Sequence, residues 1–491
     1  MGLNLRRNLP EVQNVISGIC LFFAVGIYTA VLNLGAGGAQ ADSAHVNNIV
    51  AASLYSIFGV VAFFAGSILN KLGPRYTMMI GAFGYPFYIT GLWYFDKKGS
   101  SGYAITGGCV LGVGAAMLWT VSNYVAFAYG AEHQKAGFYA TQAVLNTCGN
   151  FIAACVVFGI THNNSLPDGV PESVYASFFC LMLMAIVAGW FLCKPQEIRR
   201  KDGQPLAVFK NESYWQEIKG CASLLKDVKT WLLLPALLCA ENPLVLQPTI
   251  SGTYILHGAG ARLTENLAYW FDLRTRSLIT LITAVIQLLA FIGFQAILDL
   301  EKLSRRARAY AGFAILFTIL VAAYTGETGW FFSHPSGFLT VANGVDWTES
   351  GFGGFFVLFS SFRSLRPSAQ CIFAGSSRLS PMNQGGSATM QVSCVLEWHV
   401  VRLPSLEWRR VAYLWSMKQV IAHFVCQVCS LFPVFYLVAK YVTATNYLEE
   451  KDVVFIPTHE AEVLRLQAED GVSIADTSSP VEEKALPKGA S

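Results

Sequence analysis

Long apolar runs alternate with short polar breaks along most of this chain. Runs of about 20 residues are long enough to cross roughly 30 Å of hydrocarbon as α-helix. They occur at about 12–35, 49–69, 77–95, 103–124, 138–160 and 174–193. A polar segment, 194–230, follows. Further runs lie at about 231–253, 277–298 and 309–325, with an apolar stub at 351–362 and a last run near 413–441. A membrane β-barrel would instead alternate apolar and polar residues in segments of about ten. The pattern predicts an all-α polytopic membrane protein. Six spans, a long loop and a second set give two six-helix halves, 1–193 and 231–445, related by an axis along the membrane normal.

Composition agrees. The 491 residues are 54% hydrophobic and 13% charged, against about 25% charged in soluble domains. No cleavable leader precedes the first run, which is expected to act as the insertion signal itself. The net charge of +3 carries no nucleic-acid signal, because the basic residues sit in short loops. Their distribution sets orientation. With a cytosolic N-terminus, the inner loops hold seventeen basic residues and the outer loops five, which satisfies the positive-inside rule. The outer loops are then 36–48, 95–102, 161–173, 257–276 and 325–350. Asn163 begins an outer Asn-Asn-Ser sequon that could carry a glycan. A second sequon at Asn211 falls inside. The twelve cysteines avoid the outer loops, so they are expected as small packing residues rather than as disulfides or metal ligands. The membrane is the plasma membrane or a vacuole.

Three segments depart from the span pattern. In 194–230, Tyr214, Trp215, Ile218, Cys221, Leu224 and Leu225 recur at helical spacing beside Lys219, Lys226 and Lys229. That predicts an amphipathic helix, either at the inner membrane face or packed on the spans. The tail 446–491 has ten acidic and four basic residues and reads as disordered and cytosolic. From Ser361 to Arg410 there are six arginines, nine serines and no run able to span. Spans ten and eleven are therefore disrupted, through a gene-model fault or a true loss of spans.

Several polar residues interrupt the apolar runs. Tyr139, Gln142, Asn146 and Asn150 share one face of the fifth span. They either line a solute cavity or bond to neighbouring helices. Trp119 and Asn123 share a face of the fourth span and are candidate cavity residues, as is Gln287 in the eighth. The fourth span also carries Gly108 and Gly112, a close-packing pattern. Glu241, before Asn242 and Pro243, sits at a predicted helix break in the seventh span. A carboxyl group at that depth would suit a proton-coupled carrier. The outer turn Gly35, Gly37 and Gly38 lacks the context of a phosphate loop. No nucleophile–base pair, metal-ligand spacing or nucleotide motif supports an enzyme, and no cofactor is implied.

Two short basic turns carry the repeat. Residues 66–75 read Gly-Ser-Ile-Leu-Asn-Lys-Leu-Gly-Pro-Arg, and Asp299, Arg305, Arg306 and Arg308 occupy the corresponding place in the second half. The first turn is similar to the signature Gly-x-Leu-x-Asp-Arg-x-Gly-Arg-Arg that major facilitator transporters carry between spans two and three. Gly73 and Arg75 match. Asn70 replaces Asp, Lys71 replaces Arg, and Pro74 replaces a basic residue. The resemblance implies that both turns lock the cytosolic helix ends, with Asn70 softening the first lock. The stretches 36–88, 111–129 and 132–154 resemble the Unc-ninety-three-like branch of that superfamily, in its fungal form. FDLRTRSL at 271–278 resembles the branch's outer element, with Arg274 and Arg276. The likeness covers about 1–350, resumes near 411–455 and is missing across 361–410. It implies a major facilitator fold in a lipid bilayer and no enzymatic activity. The function is then a secondary carrier of a small solute, with or without a proton, or a regulatory or trafficking subunit of another membrane protein.

Overall fold

Each apolar run in the first half becomes one helical pass in the computed structural model. It describes residues 8–34, 43–130, 135–161, 170–198, 226, 228–239, 273–298, 305–333, 346–348, 352–354, 356–357 and 409–441. All of these belong to one compact unit, residues 1–446, while 447–491 form a second unit outside the described set. Also outside it are the amphipathic segment 214–225, Asn163, Asn211, Glu241, Asp299 and residues 358–408.

The first pass is α1 (Pro10–Leu21), a π-helical turn (Phe22–Gly26) and α2 (Ile27–Leu34). Pro10 starts it at a position where its missing N–H costs nothing. The second and third passes form α3 (Ser43–Lys98), interrupted only at Gly73, with φ 78° and ψ 164°. That conformation is essentially closed to residues with a Cβ. Pro74 then opens the third pass, and Thr77 donates to the Gly73 carbonyl at 2.9 Å. The expected loop between the two runs is thus compressed to a single residue. There follow α4 (Ser101–Ala128), α5 (Lys135–Thr161) and α6 (Glu172–Trp190). The second half contributes α7 (Val228–Cys239), α8 (Leu273–Leu298), α9 (Arg305–Ser333) and α10 (Arg409–Tyr441). Seven described helices are long and apolar enough to cross a bilayer, and one of them, Ile49–Lys98, is the double-length α3.

The core of the first half is built by close helix approach. Gly108 and Gly112 lie against Val50 and Leu54 of α3, where a Cβ would come within 2.7 and 2.5 Å of backbone oxygens. That is the packing the small-residue spacing predicts. α1, the π turn and α2 run along α5. A Cβ on Gly149 would sit 2.1 Å from the Phe22 carbonyl oxygen. α1 also packs on α4 and α6, and α3 on α4 and α6. The two halves meet where α5 and α2 lie against α8, and in the second half α10 packs on α7 and α9. Val60, Phe63, Phe83, Val187, Leu289 and Ile292 remain exposed; a lipid-facing surface requires such residues.

Two helix ends run past the expected spans. α9 continues to Ser333 rather than stopping near 325, so Glu327, expected in an outer loop, is helical and 5% exposed. α10 begins at Arg409. The described part of α7 ends at Cys239, two residues short of Glu241, and already contains Pro235.

Candidate functional site

The polar face of α5 divides into two parts with different bonding. Gln142 is buried and ties three helices together. Its Nε2 donates to Asn14 Oδ1 of α1 at 2.8 Å and to the Ser122 carbonyl of α4 at 3.1 Å. Its Oε1 accepts from Ser122 Oγ at 2.5 Å. Asn14 in turn donates to the Phe138 carbonyl at 3.0 Å. One turn before Gln142, Tyr139 stacks on Phe127. This part of the stripe is interhelical glue, which hydrocarbon burial of amides demands.

Asn146 and Asn150, one and two turns further on, differ. Their Oδ1 atoms are shielded and meet no hydrogen-bond partner among the described residues. They straddle the centre of α5, the helix that packs on α8 across the two halves. At the centre of α8, Thr280, Thr283 and Gln287 form a second buried polar stripe at spacings of three and four. Thr283 donates back to the carbonyls of Ile279 and Thr280, at 2.7 and 3.1 Å. The structure therefore sets polar groups at mid-helix depth on both helices of the inter-half contact. Trp119 packs against the first-half core, with Asn123 half-buried one turn later on α4.

At one end of the bundle, the turn 66–75 is held to the end of α6 through a single arginine. Arg75 Nε donates to the Leu192 carbonyl just past α6, at 2.9 Å, and its guanidinium lies over Trp190. A cation is favourable at a helix C-terminus. The next residue, Cys193, donates its backbone N–H to Gln13 Oε1 of α1 at 2.8 Å. Gly66 is still helical, Asn70 is half-buried and Lys71 is exposed. In the second half, Arg305 and Arg306 start α9, with their side chains outside the described residues.

At the opposite end, α8 opens on an ion pair that the sequence reading did not find. Arg274 Nε donates to Asp346 Oδ2 at 2.5 Å, and its guanidinium sits 4.8 Å from the Trp347 ring. Thr348 donates its N–H and hydroxyl to Asp346 Oδ1 at 3.0 and 2.6 Å. Trp347 donates its backbone N–H to Thr275 and lies 5.9 Å from Phe158 of α5. Burial pushes the Asp346 carboxyl up, but the Arg274 and Thr348 bonds outweigh it and hold the group well below the usual carboxylate range. Trp347 therefore touches a helix from each half. Arg276 lies on α8 with its side chain outside the described residues. Across the first half at this end, Lys97 pairs with Glu172, and Tyr175 donates to Asp96. Asp346 and Trp347 fall in a loop without periodicity, so only the proximity of an acid to Arg274 in the fold could mark them. Among the described residues, no group of His, Cys, Asp and Glu could hold a metal ion.

This two-half helical arrangement has the fold of major facilitator transporters. An Escherichia coli fucose:proton symporter matches with a TM-score of 0.54 over 86% of this chain and 98% of that one, at 14% identity. An E. coli xylose transporter matches with a TM-score of 0.52 over 88% and 99%, at 11% identity. Within that class the chain belongs to the UNC-93 family, and residues 43–239 match the family described as ion channel regulatory protein UNC-93. A fission-yeast (Schizosaccharomyces pombe) protein described as an uncharacterized membrane protein is 35% identical over 71% of this chain and 68% of its own length. A UNC93-like protein of the same yeast is 29% identical over 70% and 65%. UNC93-like protein 1 of Arabidopsis thaliana is 26% identical over 73% and 74%.

Proposed function

We propose that this membrane protein is a secondary carrier of a small polar solute. The two halves rock about the α5–α8 contact and expose a midplane site to each side in turn. One observation carries the reading: Asn146 and Asn150 present shielded amide oxygens without partners among the described residues at the middle of α5, a helix that packs across to the second half. Unsatisfied acceptors in a bilayer are costly, and a solute donor or ordered water at that place would offset the cost. Trp119, Asn123 and Gln287 are proposed to line the same cavity, and Glu241, outside the described residues, is a further candidate for it. Arg75 with Asn70 and Lys71 would close the cytosolic side, aided by Asp299, Arg305 and Arg306. Arg274 with Asp346 would close the outer side, next to Arg276. In this reading the N-terminus is cytosolic, Asn163 is outside, and the plasma membrane or a vacuole is the site.

The test is flux. Full-length protein in proteoliposomes is assayed with a broad panel of small polar solutes, with and without a proton gradient. Uptake that Asn150→Leu abolishes, without loss of folded protein, supports the carrier. No flux for any solute would count heavily against it.

A second reading has its own support in the family description, ion channel regulatory protein. Here the chain is a non-transporting subunit that regulates or escorts another membrane protein, and the softened Asn70 turn fits a fold that no longer cycles. Crosslinking in native membranes that recovers no membrane-protein partner would sink it.

A further inference from the structure

The second half holds a carboxyl group that the site described above does not use. Glu327 lies in α9, inside the apolar segment Ala309–Gly329, and is 5% exposed. Its Oε2 is shielded and has no hydrogen-bond partner among the described residues. It sits where α9 packs on α10. One turn earlier, Tyr324 donates to Gln427 Oε1 at 2.9 Å and stacks on Phe424 at 5.3 Å. The pairing of Tyr310 and Phe313 with Phe435 at the other end shows that the two helices run antiparallel. Glu327 is therefore level with the α10 turn around His423.

We infer that Glu327 is a proton-binding site, occupied as the neutral acid in this conformation. A carboxylate here would hold a full charge shielded from water near the end of the apolar segment, with one oxygen unbonded among the described residues, and a buried unpaired charge is expensive. Binding one proton removes the charge and creates an O–H donor. No bond other than that O–H is made or broken.

Among the described residues, the surrounding charges are few. On α10 the ionisable group at this level is His423, which makes contacts of its own. Lys440 and Tyr436 lie at the far end of the helix, where Lys440 donates to the Tyr436 hydroxyl. The side chains of Arg409, Arg410 and Lys418 are outside the described residues. On α8 the described charge is Arg274, which Asp346 already holds. On α9 itself the nearest titratable group is Tyr324. The neutral acid is thus the form that the described neighbours accommodate.

The inference deepens the carrier reading by naming the coupling ion, but its test reads the proton and not the flux. Full-length protein in lipid nanodiscs is examined by infrared spectroscopy in light and heavy water. Wild type is expected to show the carbonyl stretch of a protonated carboxylic acid at neutral pH, shifted by deuteration and lost on raising the pH. Glu327→Gln should lack that band and keep the thermal stability of wild type, because a neutral amide replaces a neutral acid of the same shape. Glu327→Asp should retain a protonated band at a changed frequency. Three outcomes would overturn the inference: no such band in wild type, the same band in Glu327→Gln, or a Glu327→Gln chain that fails to fold. The last would show that the structure needs the charged carboxylate. A confirmed band without measurable solute flux would remove the carrier and leave the proton site standing.

Discussion

Replacing Gln142 by leucine should separate the structural part of the α5 stripe from the part that faces a ligand. The substitution removes two donated bonds and one accepted bond. Interhelical side-chain bonds in membranes average about 0.6 kcal/mol and reach about 1.7, so three contribute roughly 2 kcal/mol. Asn14 Oδ1 and the Ser122 hydroxyl would then be left buried, and an orphaned polar group costs about 1–3 kcal/mol. Some relaxation is expected, so the total is set at about 2–4 kcal/mol. The assay is SDS-induced unfolding of the full-length chain in mild detergent, followed by tryptophan fluorescence, with Asn14→Leu and the double variant completing a cycle. Residues in one network couple by about 0.5–3 kcal/mol, so the double variant should cost clearly less than the two singles added. Asn146→Leu and Asn150→Leu, which break no described side-chain bond, should stay within about 0.5 kcal/mol of wild type. If Gln142→Leu is also that mild, or shows no coupling to Asn14, the division of the stripe is wrong.

Three further outcomes follow from the geometry. Gly149→Ala would press a Cβ to 2.1 Å from the Phe22 carbonyl oxygen; overpacking of this kind costs about 1–3 kcal/mol, and a thermal midpoint unchanged from wild type would contradict the close crossing. Gly73→Ala forces a Cβ into a glycine-only conformation and should cost about 1–3 kcal/mol, read in the same unfolding assay, whereas Leu72→Ala at the exposed neighbouring position should cost far less. Asp346→Asn tests the Arg274–Asp346 ion pair through pH. The folded carboxyl is held below its unfolded value of about 3.9, so its stabilisation is complete above that value and is lost as the pH falls toward the folded one. The stability difference between wild type and Asp346→Asn should therefore be constant at neutral pH and shrink below about pH 4. A difference that grows on acidification would reverse the sign of the argument.

Much of the first half was legible because one strong signal, apolar length, set each pass, and glycine spacing set the packing. Gly108 and Gly112 needed no tertiary information: small residues four apart in an apolar run have few other uses. The α5 stripe was legible as a stripe, but its division was not. Gln142 differs from Asn146 and Asn150 only in which neighbours it meets, and those neighbours, Asn14 and Ser122, lie 128 and 20 residues away. Glu327 was misplaced for a local reason. Hydropathy falls along Thr325, Gly326 and Glu327, which by itself ends the span there, while the helix continues to Ser333. The π turn at Phe22–Gly26 leaves no trace in composition, because it depends on how closely α1 can approach α5.

The single-residue break at Gly73 has a mechanical consequence. With no loop between them, the second and third passes have no slack to slide against each other, and Arg75 fastens their junction to the end of α6, where Gln13 fastens α1. Four passes are thereby anchored at one end of the bundle. In the proposed carrier cycle these four passes would move together, and the opposite rim, where Trp347 lies between α5 and α8, would take up the motion between the halves.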